Sequence, residues 1–411
     1  MSADGSPGAA APRPAPAGKL RSWLGDRLGL EDLASAFLGG TVPGGASLWH
    51  ALGSVAACLV VVEMVTGILL ATAYSPSVTD AWASVAYIQD QMTLGWFVRG
   101  LHSFGSSALI VVATLHLLQV VLFGAYRRPR EVNWMVGLAL LGVSVIFAIS
   151  GYLLPWDQKG YWAKMVEATI TGGAPVLGPA LQQIIQGGSS FGNLTLTRAF
   201  ATHAMLLPAV LSGLIVLHIY LYRRHGPTPR WRLTPEAAAA RAVPFWPEQA
   251  ALNSALGALA VILVTLVVAA THGAALESPA DPASSYLARP EWYAIPLYQL
   301  RMFFDGPLEI VATMIIPGIA ATIAFALPFI DRAPSTAPSA RRPVMVGVGV
   351  AIAAVAVLSV ISLGKDARDP AFAKARAEEH ARSEQARRLA LKGMPAEGGL
   401  AVFRNAVRAA R

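Results

Sequence analysis

Charged residues and cysteine are scarce in this chain of 411 residues. Asp, Glu, Lys and Arg together make up 14% of the sequence, whereas 55% of it is hydrophobic. This composition excludes an ordinary soluble domain and predicts an all-α polytopic membrane protein. The single cysteine, Cys58, excludes an internal disulfide, a cysteine-ligated iron–sulfur cluster and a C-x-x-C-H haem attachment site.

Seven apolar runs each have close to the ~20 residues that cross a bilayer. They predict spans at about 48–73, 97–124, 133–153, 196–222, 249–271, 307–330 and 342–364. A secretory signal peptide is not expected, because the first long apolar run comes late and is long enough to span. The formal charge of +8 lies largely in short loops and the C-terminal tail, where membrane topology explains it without a nucleic-acid partner.

Arginine clusters indicate how the chain is oriented. They follow the second, fourth and sixth runs, at 127–130, 223–232 and 332–342, whereas the alternate loops have no such clusters. Because basic loops stay on the cytoplasmic side, we expect the N-terminus inside and the C-terminus outside. The protein is therefore predicted to be a multi-pass protein of the cell's inner (plasma) membrane.

Two apolar runs each carry a pair of histidines at a similar spacing. His102 and His116 are fourteen residues apart, and His203 and His218 are fifteen apart. At 100° per residue each pair lies on roughly one helix face, with about 21–22 Å between its members along the axis. If the two helices face each other, the imidazoles form two stacked pairs, which suit two haem irons with a histidine on each side.

The alternative is that these histidines are structural, since a single histidine in an apolar helix is more often a satisfied core residue. Polar side chains inside membranes are costly and usually functional, however, and four at matched spacing favour haem ligation. Glycines repeat the fourteen-residue spacing on the first and third runs, as Gly53 with Gly67 and Gly137 with Gly151. Glycine allows a macrocycle or helix to approach closely, although it is also common in membrane helices.

Two of the loops predicted to lie outside contain an unusual sequence. One begins Gly-Tyr-Leu-Leu-Pro-Trp-Asp-Gln at Gly151, and the other contains Arg-Pro-Glu-Trp-Tyr at 289–293. An acid between proline and aromatics beside the membrane can accept a proton from a quinol hydroxyl, which makes Glu291 a candidate. The alternative for this segment is an interfacial aromatic belt with an ordinary solvated glutamate.

These features resemble cytochrome b of the cytochrome bc complexes. The resemblance depends on the two-histidine helices, the sequence GYLLPWDQKGYW, the PEWY segment and Thr197-Arg198 before His203. It covers roughly residues 40–364 and is most similar to the plastid-type branch, whose last three spans form a separate subunit IV. Here the two parts are predicted to be fused, with the join at about 223–248.

The resemblance implies a role for particular residues. His102 with His203 would bind the outer b-type haem and His116 with His218 the inner one, both non-covalently, with Arg99 and Arg198 as candidate propionate partners. Glu291, Tyr293 and Tyr152 would form the catalytic part of an outer quinol-oxidation site. Weaker quinone-binding candidates are Pro290 and Trp156 on the outer side, and Arg223 and His225 on the inner side. No covalent haem is expected, because Ala51 occupies the position where relatives attach one.

The implied function is quinol:cytochrome c (or similar acceptor) oxidoreduction coupled to proton translocation. One quinol electron would leave to a Rieske-type iron–sulfur protein and a c-type cytochrome, while the other would cross both haems to an inner quinone. The complex is expected to be a homodimer. The alternatives are a dihaem membrane anchor of a quinone-linked dehydrogenase, and a non-redox transporter or scaffold.

The domain organisation follows from these segments. We expect a disordered N-terminus and surface helix over 1–40, a dihaem four-helix bundle over 41–225, a subunit IV-like three-helix part over 226–364 and a charged tail over 365–411. The tail is interpreted as solvated and helical in part, and docking of an external cytochrome c partner is the alternative.

Overall fold

The computed structural model describes residues 38–392, and within them the fold is almost entirely helical. Seven helices within residues 38–392 are long and apolar enough to cross a membrane, which confirms the predicted all-α polytopic fold. We name them spans 1 to 7: Leu48–Ala71, Gly95–Phe123, Glu131–Tyr152, Asn193–His225, Phe245–Thr271, Gly306–Ile330 and Pro338–Arg368. The expected N-terminal disorder, nearly all of the expected surface helix and the last part of the tail lie outside the described residues.

Spans 1 to 4 form a four-helix bundle in which each span packs against the next and span 4 returns to span 1. Span 5 packs on the outside of spans 1 and 2, and span 6 packs on span 3. A helix of 29 residues such as span 2 is about 44 Å long at ~1.5 Å per residue, which is enough to cross the bilayer. Span 2 ends where Gly124 adopts a left-handed φ of 64°, a conformation that glycine adopts without strain.

Span 4 contains a wider turn just at its first histidine. Residues Thr202–Leu206 form a π-helical segment, and the N–H of Leu207 bonds to the carbonyl oxygen of Thr202, five residues back. A π turn takes up one more residue than an α turn, so the fifteen-residue spacing in span 4 becomes equivalent to the fourteen-residue spacing in span 2. On an ideal helix fifteen residues end 60° past four turns, and the π turn absorbs this deviation locally.

Short elements cover the ends of the bundle. Helices Ala81–Asp90, Gln158–Gly172 and Gly178–Gln186 lie in the loops predicted to be outside. On the opposite side, Thr41–Val42 pairs antiparallel with Val243–Pro244, with Val42 opposite Val243. This pairing joins the segment before span 1 to the segment before span 5.

The C-terminal tail differs from the solvated segment that its charge suggests. Residues Pro370–Leu391 form a helix that packs on the loops of the predicted outer side. Arg387 forms an ion pair with Asp90, and the carboxylate of Glu379 accepts the N–H of Ser278 at 2.7 Å. Composition alone misses this because the helix binds through a few charged contacts and small side chains such as Ala386 and Ala390.

Candidate functional site

The four histidines of spans 2 and 4 meet as two facing pairs. The ring centroids of His102 and His203 are 6.2 Å apart, and those of His116 and His218 are 6.4 Å apart. A metal with an imidazole nitrogen about 2 Å away on each side needs ring centroids about 6 Å apart. Each pair therefore has the separation required to bind one metal ion between its rings.

The hydrogen bonds of the first pair fix which ring nitrogen is available. Nδ1 of His102 lies 3.0 Å from Oγ1 of Thr66, and Nδ1 of His203 lies 2.9 Å from Oγ of Ser150. The Thr66 hydroxyl donates to the carbonyl of Val62, and the Ser150 hydroxyl donates to the carbonyl of Phe147. Because each hydroxyl has used its proton, it must accept from Nδ1–H, which leaves the Nε2 lone pair free for a metal.

Each of the four spaced glycines lies against one of these imidazoles. A Cβ at Gly67 would lie 3.1 Å from Cε1 of His102, and one at Gly151 would lie 2.8 Å from Cε1 of His203. The same atom at Gly53 or Gly137 would lie 3.3 Å from Cε1 of His116 or His218, respectively. Spans 1 and 3 therefore require glycine at these levels so that the histidine rings can lie against their backbones.

A cavity of about 210 Å³ lies beside the second pair. Its walls are mostly apolar, and its polar lining includes His50, Gln119, Arg130 and Asn133 as well as His116 and His218. The guanidinium of Arg130 donates to the carbonyl of His225 at 2.9 Å. An apolar cavity with a few converging polar groups and one cation suits a flat cofactor that carries carboxylates.

The two unusual loops of the predicted outer side contact each other. The N–H of Gln158 donates to the carbonyl of Ser278 at 2.9 Å, and the buried carboxylate of Asp157 accepts the N–H of Gly160 at 2.8 Å. Burial raises the pKa of the Asp157 carboxyl, which these N–H bonds and nearby cations partly offset. The loop after span 3 is thereby fixed to the loop after span 5.

Glu291 forms an ion pair with a residue of the other loop. Nζ of Lys159 lies 2.5 Å from Oε1 of Glu291. The buried hydroxyl of Tyr293 has no hydrogen-bond partner among the described residues, and burial followed by the Glu291 charge raises its pKa. Tyr152 lies within electrostatic range of both Glu291 and Tyr293. An acid, a cation and two phenols thus lie close together at the end of the bundle.

The remaining predicted residues around this end of the bundle have other contacts. Trp156 packs in a core cluster with Tyr161 and Leu196, and Pro290 lies next to Glu291 in sequence. The guanidinium of Arg99 donates to Gln89 Oε1 and to the carbonyls of Ala274 and Ala275, so it stabilises the loop after span 5.

Three further predicted residues lie near the ends of span 4. Arg198 is exposed and donates to the carbonyl of Ile184 at 3.3 Å. Arg223 donates to the carbonyl of Gly39 at 3.1 Å, and its guanidinium lies 4.4 Å from the centroid of the Phe245 ring. His225 has a buried Nδ1 without a hydrogen-bond partner among the described residues.

Sequence reasoning missed several residues of these sites. Thr66 and Ser150 each directly precede one of the spaced glycines, and that adjacency is a signal that could have identified them. Lys159 lies inside the recognised GYLLPWDQKGYW sequence, but nothing local indicates that it pairs with Glu291. Arg130 appeared only as part of a basic loop.

A bundle of membrane-spanning helices with two histidine pairs, each with the ring separation that one bound metal ion requires, is typical of membrane redox proteins that bind haem through histidines. The family model described as Cytochrome b/b6/petB matches residues 38–226, and the model described as Cytochrome b(C-terminal)/b6/petD matches residues 279–377. The chain belongs to the cytochrome b family. It is a bc-type membrane cytochrome b, a b-haem protein of electron transport in a quinol oxidoreductase.

Relatives of known sequence agree with this assignment. Cytochrome b6 of Mastigocladus laminosus is 34% identical over 204 residues, which are 50% of this chain and 95% of the relative. Cytochrome b6 of Synechocystis sp. is 34% identical over 208 residues, 51% of this chain and 94% of the relative. Since one family model covers the first part and another the second, the predicted fusion of a plastid-type cytochrome b with a subunit IV-like part is confirmed.

A solved structure has the same fold. A chain of a hyperthermophilic respiratory Complex III superposes with a TM-score of 0.71 at 24% identity, covering 89% of this chain and 96% of that chain.

Proposed function

We propose that this chain is the cytochrome b of a quinol:cytochrome c (or similar acceptor) oxidoreductase that couples quinol oxidation to proton translocation. The observation that supports this most strongly is the separation of the two imidazole pairs, 6.2 Å and 6.4 Å between ring centroids. His102 with His203 would bind the outer haem, and His116 with His218 the inner one. Bound there, the haems supply one-electron transfer between the two sides of the membrane.

Residues around each imidazole pair would orient the histidines and bind the haem propionates. The hydroxyls of Thr66 and Ser150 hold Nε2 of His102 and His203 towards the metal position. At the inner site, the guanidinium of Arg130 lines the cavity beside His116 and His218, which makes it a candidate partner for a propionate. Arg99 and Arg198 remain the candidates at the outer level, although the contacts of Arg99 with backbone carbonyls compete for its donors.

Quinol oxidation is proposed at the outer end of the bundle. There the Glu291 carboxylate would accept a hydroxyl proton from the quinol, with Tyr293 and Tyr152 shaping the pocket beside Pro290. Lys159 holds the carboxylate through the 2.5 Å ion pair. Protonation of Glu291 would neutralise the carboxyl group and weaken this pair, so that the acid could turn towards bulk water, lose its proton there and pair with Lys159 again. Quinone reduction would occur near the inner surface, where Arg223 and His225 are the candidate residues.

The rest of the assembly follows from the family. We propose a dimeric complex in the cell's inner membrane, with the N-terminus inside and the C-terminus outside, in which residues 41–225 form the haem-binding part and 226–364 the subunit IV-like part. The partners would be a Rieske-type iron–sulfur protein and a c-type cytochrome. A chain of a hyperthermophilic respiratory Complex III has this fold.

Two variants test this function. In a redox titration of the purified protein followed by visible absorption, His218→Leu should remove one b-type component and leave the other, whereas the wild type shows two. Glu291→Gln should keep both haems and slow quinol oxidation at least tenfold. Two titrating haems with an unchanged rate in Glu291→Gln would favour the dihaem anchor instead, and the absence of b-type bands from wild type would refute both.

A further inference from the structure

Glu63 is an acid in the middle of span 1, where a charge is costly unless it is paired. Its Oε2 lies 3.1 Å from Nδ1 of His102, and only 15% of its side chain is exposed. Its Oε1 has no hydrogen-bond partner among the described residues and faces Gly105, where a Cβ would overlap it. The glycine on span 2 therefore leaves the space that the carboxyl group occupies.

The proton on Nδ1 of His102 thus has two oxygen neighbours. One is Oγ1 of Thr66 at 3.0 Å, and the other is Oε2 of Glu63 at 3.1 Å. The Thr66 hydroxyl donates its own proton to the carbonyl of Val62, so its oxygen accepts from Nδ1–H, and Oε2 of Glu63 lies at a distance at which it can accept from the same N–H. The two acceptors draw Nδ1–H away from the metal position and leave Nε2 directed towards it.

The other three histidines have no carboxylate of this kind within the described part of the chain. Nδ1 of His203 contacts the neutral hydroxyl of Ser150, and Nδ1 of His116 and of His218 have no hydrogen-bond partner among the described residues. The two imidazole pairs therefore differ in the electrostatics around their outward nitrogens. The pair of the predicted outer side is the one that an acid polarises.

We propose that Glu63 lowers the reduction potential of the outer haem relative to the inner haem by accepting from Nδ1–H of His102, an inference that rests on the proposed ligation. An acceptor on the far nitrogen makes the ligating imidazole more basic and favours ferric over ferrous iron. The outer haem, held by His102 and His203, would supply one-electron transfer, and no bond of Glu63 or His102 would form or break in it. A lower outer potential directs the transferred electron inward.

A redox titration of the full-length protein followed at the haem absorption bands tests the proposal. Glu63→Leu should raise the outer midpoint potential by at least ~59 mV, a tenfold change in a one-electron equilibrium constant, while the inner haem remains unchanged. Glu63→Gln, which keeps the size and an acceptor oxygen, should give a smaller rise. Thr66→Val is the matched control, since it removes the neutral acceptor and leaves the carboxyl group, and its shift should be smaller than that of Glu63→Leu.

Several outcomes would overturn the proposal. One is a shift of the outer midpoint potential that corresponds to less than a twofold change in the equilibrium constant in both Glu63 variants. Another is an equal shift of the potentials of both haems. A third is loss of the outer haem from both variants, since a contact that only tunes the potential leaves ligation intact. The low-spin ferric EPR spectrum gives a second readout, because its g-values should change for the outer haem alone. If instead the proposed haem ligation were wrong, the wild-type protein would lack two b-type components, or the His102→Leu variant would retain both.

Discussion

Replacing Gly151 by alanine tests whether the glycines are required for the histidine rings. Gly151 lies near the end of span 3, and a Cβ there would lie 2.8 Å from Cε1 of His203. Carbon atoms pack at about 3.5–4.0 Å, so the ring must move by roughly 0.7 Å or more. Such overpacking costs about 1–3 kcal/mol, whereas alanine in place of glycine stabilises a helix by about 0.5–1 kcal/mol.

The two effects act on different states, which makes the outcome specific. Without haem the His203 ring can move aside and alanine stabilises the helix, whereas with haem the ring would be held at its ligating position and would meet the added Cβ. We therefore expect Gly151→Ala to lower the haem content per polypeptide towards half and to remove the outer component from a redox titration. Gly67→Ala should act less strongly, since its Cβ would lie 3.1 Å from His102, and Gly53→Ala and Gly137→Ala least, at 3.3 Å.

Gly142→Ala is the matched control on the same helix, because a Cβ at Gly142 would meet nothing within 4 Å. It should keep both haems and gain slightly in thermal stability. The reasoning is refuted if Gly151→Ala and Gly142→Ala have the same haem content and the same two midpoint potentials.

Three further changes test the outer loops. Lys159→Met should slow quinol oxidation several-fold with both haems retained, because the Glu291 carboxylate loses its 2.5 Å ion pair; Lys159→Arg should restore most of the rate, and equal rates in both variants would contradict the role. Burial, and to a smaller extent the charge of Asp157, raises the pKa of the Glu277 carboxyl from 4.5 to about 7. The folded state therefore favours the protonated acid, and the protein loses stability as the pH rises from 4.5 to 7. At ~1.4 kcal/mol per pKa unit, reduced for partial exposure, the free energy of unfolding of the wild type should fall by roughly 1–2 kcal/mol between pH 4.5 and 7. The thermal unfolding temperature of Glu277→Gln in detergent should depend less on pH than that of the wild type. Asp90→Asn removes the charge that pairs with Arg387, which should weaken docking of helix Pro370–Leu391 by about 1 kcal/mol and speed protease cleavage within it; unchanged cleavage would show that apolar packing alone holds the helix.

The seven spans could be predicted because hydrophobic length is a local property of the sequence. The predicted second run, 97–124, and the observed helix Gly95–Phe123 differ by two residues at most at either end. The seventh run is the least accurate, since the prediction of 342–364 stops four residues short of the observed Pro338–Arg368 at each end. The helix continues into polar residues at both ends, where an apolar window gives no signal.

Pairing of the histidines was predictable for a different reason. Their spacing shows that the two histidines of each helix lie on one face. The orientation inferred from loop charge then places His102 and His203 at one depth in the membrane and His116 and His218 at another. What the spacing could not provide is the angular fit, because fifteen residues on an ideal helix end 60° past four turns. The π-helical segment Thr202–Leu206 corrects this, and the histidine spacing alone does not reveal it.

Contacts between distant segments were out of reach. Lys159 and Glu291 are 132 positions apart in the chain, and no periodicity connects them. The C-terminal helix was interpreted as solvated because its charges are numerous, yet Asp90 and the N–H of Ser278 bind two of those charges. Without a second sequence to show which positions vary together, one sequence does not contain this information.

The widened turn in span 4 means that the number of residues between two ligands is a poor measure of their depth in the bilayer. Span 2 uses fourteen steps and span 4 fifteen, yet the rings meet at 6.2 Å on one level and 6.4 Å on the other. A chain that lacked one residue at 202–206 and replaced the π turn with an ordinary one would bring the same rings together. A single insertion at this point can therefore leave the distance between the facing rings unchanged.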